Sequence, residues 1–315
     1  MRALMSARLG AAFSKLWTAS AVSNVGDGIT MAAGPLLVAS LTSEPALVAG
    51  AAFAQQLPWL IISLISGVYV DRLNRRHLII VVNVLRGLAL AVLAAAVATS
   101  TASIPLIYVV FFLLGTGETL ADTAFSALLP ATVAPEQLTT ANSRLTATTV
   151  LGNQLLSKPL GGWLFAAGAA LPFAADALTF LLAAALTSAI RVTPARPAAV
   201  GGSVRADIAA GIRWLWRHRP LRTLAVTMGV ANVAFCAPFA IFALNAQQRL
   251  GLTEVGYGLL LTAFGVGGLA GSMLAPRLSA RFGSTALLRG GLIVEIGTHA
   301  VLAAPPRTRW SRRPS

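Results

Sequence analysis

Apolar residues fall along this chain in long blocks separated by short polar links. Blocks of about twenty mostly apolar positions cover 16–41, 46–70, 78–99, 104–128, 146–167, 170–190, 221–244, 255–276 and 286–304. Each is long enough for a helix to cross a hydrocarbon layer about 30 Å thick. The links are rich in Gly, Pro, Ser and charge, and only one, at about 191–220, is long. No block shows the period-two alternation of barrel strands. The pattern predicts an all-α membrane protein with about nine transmembrane helices. Residues 1–15 resemble the basic start of a signal peptide, but the apolar run that follows is too long and lacks a small-residue cleavage site. That run therefore reads as the first span, retained.

Composition agrees. The 315 residues are 56% hydrophobic and 11% charged, with a mean hydropathy of +0.76. Soluble proteins carry about 25% charged residues, which excludes an ordinary soluble enzyme, and disordered chains are poor in apolar residues. The net charge of +14 changes meaning once it is mapped. With the amino terminus in the cytoplasm, the basic residues gather on the cytoplasmic side. They are Arg2, Arg8 and Lys15, then Arg72, Arg75 and Arg76, Arg144, the run from Arg191 to Arg222, and Arg277, Arg281 and Arg289. External links hold only Arg249 before the tail. This is the positive-inside pattern, so no nucleic-acid partner is expected. Arg outnumbers Lys 22 to 2, which with heavy Ala and Gly use suits a GC-rich bacterial gene and a multi-pass protein of the cytoplasmic (inner) membrane. The single Cys236 permits no disulfide and no Cys-rich metal site. His77, His218 and His299 lie far apart, and no phosphate-binding loop is present. No cofactor, metal or enzymatic activity is expected.

The order of segments repeats. Ala21-Val22-Ser23-Asn24-Val25 in the first block is echoed by Gly229-Val230-Ala231-Asn232-Val233 in the seventh. Gly67, with Asp71-Arg72 and Arg75-Arg76 after it, is echoed by Gly271 with Arg277 and Arg281 after it. Such repeats mark secondary transporters. The run Gly67-Val68-Tyr69-Val70-Asp71-Arg72-Leu73-Asn74-Arg75-Arg76 resembles the loop signature between helices two and three of the major facilitator superfamily. Asn24-Val25-Gly26-Asp27-Gly28, the stretch from Glu118 to Pro130, Pro135-Glu136-Gln137-Leu138, Asp176-Ala177-Leu178-Thr179-Phe180 and His218-Arg219-Pro220-Leu221-Arg222 resemble its branch of enterobactin exporters and macrolide-efflux-type proteins.

The resemblance implies a twelve-helix bundle that exports a small drug- or siderophore-like molecule by alternating access. It divides the chain into a six-helix bundle (1–190), a cytoplasmic linker with an amphipathic helix (191–220), a partial second bundle (221–304) and a basic tail (305–315). Three helices of the twelve are missing, so a truncated and transport-inactive fragment is the alternative, with the tail read as out of frame. In that case a partner chain would have to complete the path. The other partners expected are a small-molecule substrate, the lipid bilayer and a coupling ion, a proton. Against the proton, Ser157-Lys158 stand where drug antiporters carry a Gly-Pro element, and the fourth span lacks an arginine found in many of them.

Ionisable groups inside spans cost about 2.5–3.5 kcal/mol each on insertion scales and are functional candidates by default. Asp27 lies mid-span beside Asn24. Glu118 and Asp122, four apart, share one face of a helix, where they can take a proton or pair with a cationic substrate. Arg86 is the candidate counter-ion. These five residues form the expected substrate and proton path, with internal salt bridging the alternative. Asp176, near the start of the sixth block, reads as a solvated cap. In the loop signature, Gly67 is expected to permit close helix approach. Arg72, Arg75 and Arg76 are expected to hold the cytoplasmic face by snorkelling or by meeting anionic lipid, and the resemblance gives Asp71 the role of a latch between the halves. The small residues Ala263, Gly267, Gly271 and Ala275 read as a packing stripe.

Overall fold

The computed structural model describes residues 9–190, 204–240, 242–248 and 250–303. Among them every apolar block is helical and no strand occurs. The order is α1 (Ala11–Leu41), α2 (Pro45–Arg72), α3 (Arg75–Ala98) and α4 (Ile104–Leu128). A rod follows, made of α5 (Leu138–Thr149), a π-helical stretch (Val150–Leu156) and α6 (Ser157–Ala167). Next come α7 (Leu171–Ser188), α8 (Val204–Arg217), α9 (Arg219–Ala240), α10 (Phe242–Gln248), α11 (Glu254–Phe282) and α12 (Ser284–Ala303). Five of these carry segments that meet the length and apolarity needed to cross a membrane on those grounds alone: Pro45–Ser63, Arg75–Ala98, Ile104–Ala131, Leu171–Ser188 and Glu254–Gly271. The other four blocks coincide with α1, the 138–167 rod, α9 with α10, and α12.

Local chemistry sets the helix starts. The Asn74 side chain accepts from the His77 backbone N–H at 3.2 Å, and Thr253 accepts from that of Gly256 at 3.2 Å, so each caps the first turn that follows it. The burial pattern is inverted relative to a soluble protein. Helix α3 buries Asn83, Arg86 and Gly87 and exposes Val81, Leu85, Leu88 and Val92. Helix α7 buries Asp176 and exposes Leu178 and Leu182. Polar groups face the bundle and leucines face outward, as lipid solvent requires.

Apolar clusters bracket a polar middle layer. One, which includes Leu37, Val48, Leu90, Ile107, Leu114 and Phe180, packs α1, α2, α3, α4 and α7 at one end. Another, with Phe13, Leu16, Val70, Ile79, Leu128 and Ile190, packs the other end. A third joins Ala32 and Leu36 of α1 to Ala243, Ala246, Tyr257 and Leu261 of α10 and α11.

Two of the loop arginines expected to snorkel or to meet anionic lipid, Arg75 and Arg76, also reach carbonyls of the bundle. Arg75 Nη1 donates to the Ala127 carbonyl at 3.0 Å. Arg76 donates through Nε to the Thr187 carbonyl at 3.2 Å and through Nη2 to that of Ser188. Lys15 Nζ reaches the Ala189 carbonyl at 2.8 Å. These carbonyls end α4 and α7, where a helix lacks intrahelical partners and carries partial negative charge. The side chains of Asp71, the expected latch, and of Arg72 lie outside the described part of the structure.

Two expectations about small residues are corrected. No atom lies within 4 Å of the Cβ position at Gly67, Gly267 or Gly271, so none of them marks a close approach among the described residues. The tight contacts fall elsewhere. A Cβ on Gly161 would meet the Ile29 carbonyl at 2.6 Å, and one on Gly258 the Lys158 carbonyl at 2.7 Å. Thus α6 is clamped between α1 and α11 by backbone contact. Gly161→Leu is therefore expected to destabilise the detergent-solubilised protein by about 1–3 kcal/mol, the usual cost of overpacking, whereas Gly267→Leu leaves thermal unfolding unchanged. Equal melting temperatures for the two variants would refute the clamp.

Candidate functional site

Three helices converge on the middle layer. Asn24 and Asp27 lie a turn apart on α1, Asn83 and Arg86 a turn apart on α3, and Glu118 and Asp122 a turn apart on α4. All six line one cavity of about 550 Å³, which runs past Ser20, Phe125, Asn142 and Thr149 toward Leu16, Leu129 and Thr187. That is the end of the bundle where Lys15, Arg75 and Arg76 hold the helix carbonyls. The five path residues expected from sequence are thus brought together. Gly67, Arg75 and Arg76 sit apart from them at the helix ends.

Arg86 organises the cluster. Its Nη2 meets Asp27 Oδ1 at 2.6 Å, a charge-assisted bond of the short kind. Its guanidinium lies 4.0 Å from the centroid of the Phe180 ring on α7, a cation–π contact. Gly117 leaves room for the stem, since a Cβ there would meet Arg86 Cγ and Cδ at 2.7 Å. The residue is 5% exposed, and its Nε has no hydrogen-bond partner among the described residues. Glu118, Asp122 and Asp176 all lie within its electrostatic reach. One guanidinium therefore shares a layer with four carboxylates, and among the described residues it forms a direct ion pair with Asp27. On α1 the Asn24 amide is held in place, donating to the Ser20 carbonyl at 2.8 Å and its hydroxyl at 3.2 Å.

Asp176 is not a solvated cap. It is 1% exposed, because α7 begins at Leu171, a full turn before it, and packs its first turns against α1. Asn83, Asn153 and Thr187 also line the cavity and were not singled out from sequence. The available signal was a polar residue within an apolar block, which flags Asn83 and Asn153. Asn153 falls in the π-helical stretch, a feature frequent at functional sites. Among the described residues, no group of three or more His, Cys, Asp or Glu is placed to hold a metal ion. The arrangement can hold protons or a cation against buried carboxylates.

The comparisons agree with the fold. A family model described as transmembrane secretion effector matches residues 6–310. The multidrug efflux pump Tap of Mycolicibacterium fortuitum is 28% identical over 265 residues, covering 81% of this chain and 64% of the pump. The chain thus spans under two thirds of that relative's length. A crystal structure of a bacterial homologue of the iron transporter ferroportin, in an inward-facing state, superposes with a TM-score of 0.59 at 17% identity, covering 86% of this chain and 69% of that one. That likeness is one of fold. With nearly its whole length matched, the chain belongs to the transmembrane secretion effector family of major facilitator transporters.

Proposed function

We propose that this protein exports a small cationic or weakly basic organic molecule across the bacterial inner membrane by alternating access. Asn24, Asp27, Glu118 and Asp122 line the path, and Arg86 is the resident counter-ion. The single observation that carries this reading is the surplus of carboxylates around Arg86 in a cavity within the bilayer-spanning part of the bundle. Unpaired charge at that depth is costly, so the surplus is relieved by a bound cation or by protons. A siderophore-like anion would add to it. The relationship to a multidrug efflux pump supports a drug-like substrate. With the amino terminus cytoplasmic, as the basic links favour, the cavity extends toward the cytoplasm, the side from which an exporter loads. Residues 1–190 then supply the bundle that holds the substrate. Residues 191–220 are the cytoplasmic linker, and residues 221–304 belong to the second bundle.

Extrusion of ethidium from cells expressing the chain tests this. Neutralising all three carboxylates (Asp27→Asn, Glu118→Gln, Asp122→Asn) is expected to abolish extrusion, and Asp27→Asn alone to slow it roughly tenfold, about 1.4 kcal/mol of lost stabilisation. Unchanged extrusion in the triple variant removes the carboxylates from the mechanism. A second outcome concerns stability. Arg86→Met strands Asp27 as a buried charge, and removing one partner of such a pair costs about 3–5 kcal/mol. The double variant Arg86→Met with Asp27→Asn is expected to recover most of that loss in thermal unfolding; no recovery would mean that the pair is not the reason Arg86 is needed.

A further inference from the structure

Polar side chains within these spans are commonly satisfied by their own helix. Asn24 donates to the Ser20 carbonyl at 2.8 Å, Thr119 to that of Gly115 at 2.9 Å, and Thr123 to that of Thr119 at 2.8 Å. Two amides are not satisfied in this way. Asn83 on α3 and Asn153 in the π-helical stretch are 5% and 8% exposed, and among the described residues neither side chain forms a hydrogen bond. Both line the cavity. A side-chain amide has two N–H donors and a carbonyl acceptor, and leaving a buried one unmet is costly. Whatever fills the cavity has to answer both.

The backbone places each amide beside one member of the ion pair. Asn83 lies a turn before Arg86 on α3. On α1, Gly28 follows Asp27, and the π-helical stretch touches the helix there. A Cβ on Gly28 would meet the Asn153 carbonyl at 2.6 Å and its Cα at 3.0 Å, so the approach requires a residue without a side chain. Ser157 closes the π-helical turn. Its backbone N–H and its hydroxyl, the latter at 2.5 Å, both reach the Gly152 carbonyl five residues back. Charge and neutral hydrogen bonding thus share one cavity of about 550 Å³, within the size range of sites for drug-sized molecules.

We propose that Asn83 and Asn153 form a neutral subsite that selects among cations, binding N–H and O–H groups carried beside the substrate's charge. The carboxylates attract that charge through an interaction that falls off slowly with distance, so they accept cations of many shapes. The amides act only in contact and only along preferred directions. A cation clad in hydrocarbon satisfies the carboxylates and strands both amides, because a body that displaces water without reproducing its hydrogen bonds loses affinity. A cation that carries amino or hydroxyl groups donates them to the two amide oxygens. Discrimination therefore comes from the asparagines and attraction from the acids. This rests on the cavity being the path of a cation and adds the class of cation it prefers.

Proflavine and acridine orange separate the two contributions. Both are planar, fluorescent acridinium monocations; proflavine carries two primary amino groups, and acridine orange carries dimethylamino groups with no N–H in their place. The dissociation constants of both dyes are measured on the purified full chain in one detergent. In Asn83→Leu and in Asn153→Leu, proflavine is expected to weaken about tenfold relative to acridine orange, roughly the loss of one hydrogen bond to a buried amide. Asn83→Ala and Asn153→Ala remove the amide without adding bulk. They are expected to shift the ratio of the two constants in the same direction, and they decide the matter where a leucine variant does not fold. With both dyes bound, a wild-type ratio at either position overturns the proposal and leaves the export reading standing. If neither dye binds the wild type, the export reading itself falls, and the subsite falls with it.

Discussion

The middle of this molecule is governed by the pairing of Arg86 with Asp27. Two ions removed from water lose several kcal/mol of hydration each, and only close contact with further polar partners offsets that loss. The 2.6 Å bond and the Phe180 ring supply part of the compensation. Their demands propagate outward. Gly117 has no side chain because the arginine stem occupies that space, and α1, α3, α4 and α7 must cross at one level to bring the partners together. The apolar clusters flank that level, with the cavity running past one of them toward the helix ends, so the ionic layer and the packing of the bundle are one problem in the physics of burial.

Most of the architecture was legible in the sequence, because spanning a membrane imposes a requirement that apolar blocks meet visibly. The described residues of each block are helical, and Val204–Arg217 within the long link form α8. The five path residues meet because an ionisable residue inside an apolar block has few places to go other than the bundle interior. What stayed hidden was relational. Asp176 sits near the start of its block, and only the packing of α7 on α1 shows that it is buried. Ala263, Gly267, Gly271 and Ala275 have the spacing of a close-packing stripe, but spacing does not say which face meets a neighbour; the close approaches fall at Gly161 and Gly258. Arg75 and Arg76 look from sequence like charges for the lipid surface, whereas their partners are carbonyls on helices reached only through tertiary contact.

The cavity draws its lining from residues between Leu16 and Thr187. Among the described residues its lining comes from α1, α3, α4, α5 with the π-helical stretch, α7 and the link after α4, although α11 packs tightly on α6. Chemistry and contact are thus divided. The first part of the chain carries the charged and amide groups, and the later helices meet it along a seam of glycines and small apolar residues that imposes little directionality of its own.

The ties from Lys15, Arg75 and Arg76 to the ends of α4 and α7 have a mechanical meaning. Each joins residues far apart in the chain at a level where thermal fraying would otherwise begin. Helices anchored in this way at their tips share one stiffness, and a push at any of them is transmitted to all. A bundle fastened at these tips resists opening one helix at a time.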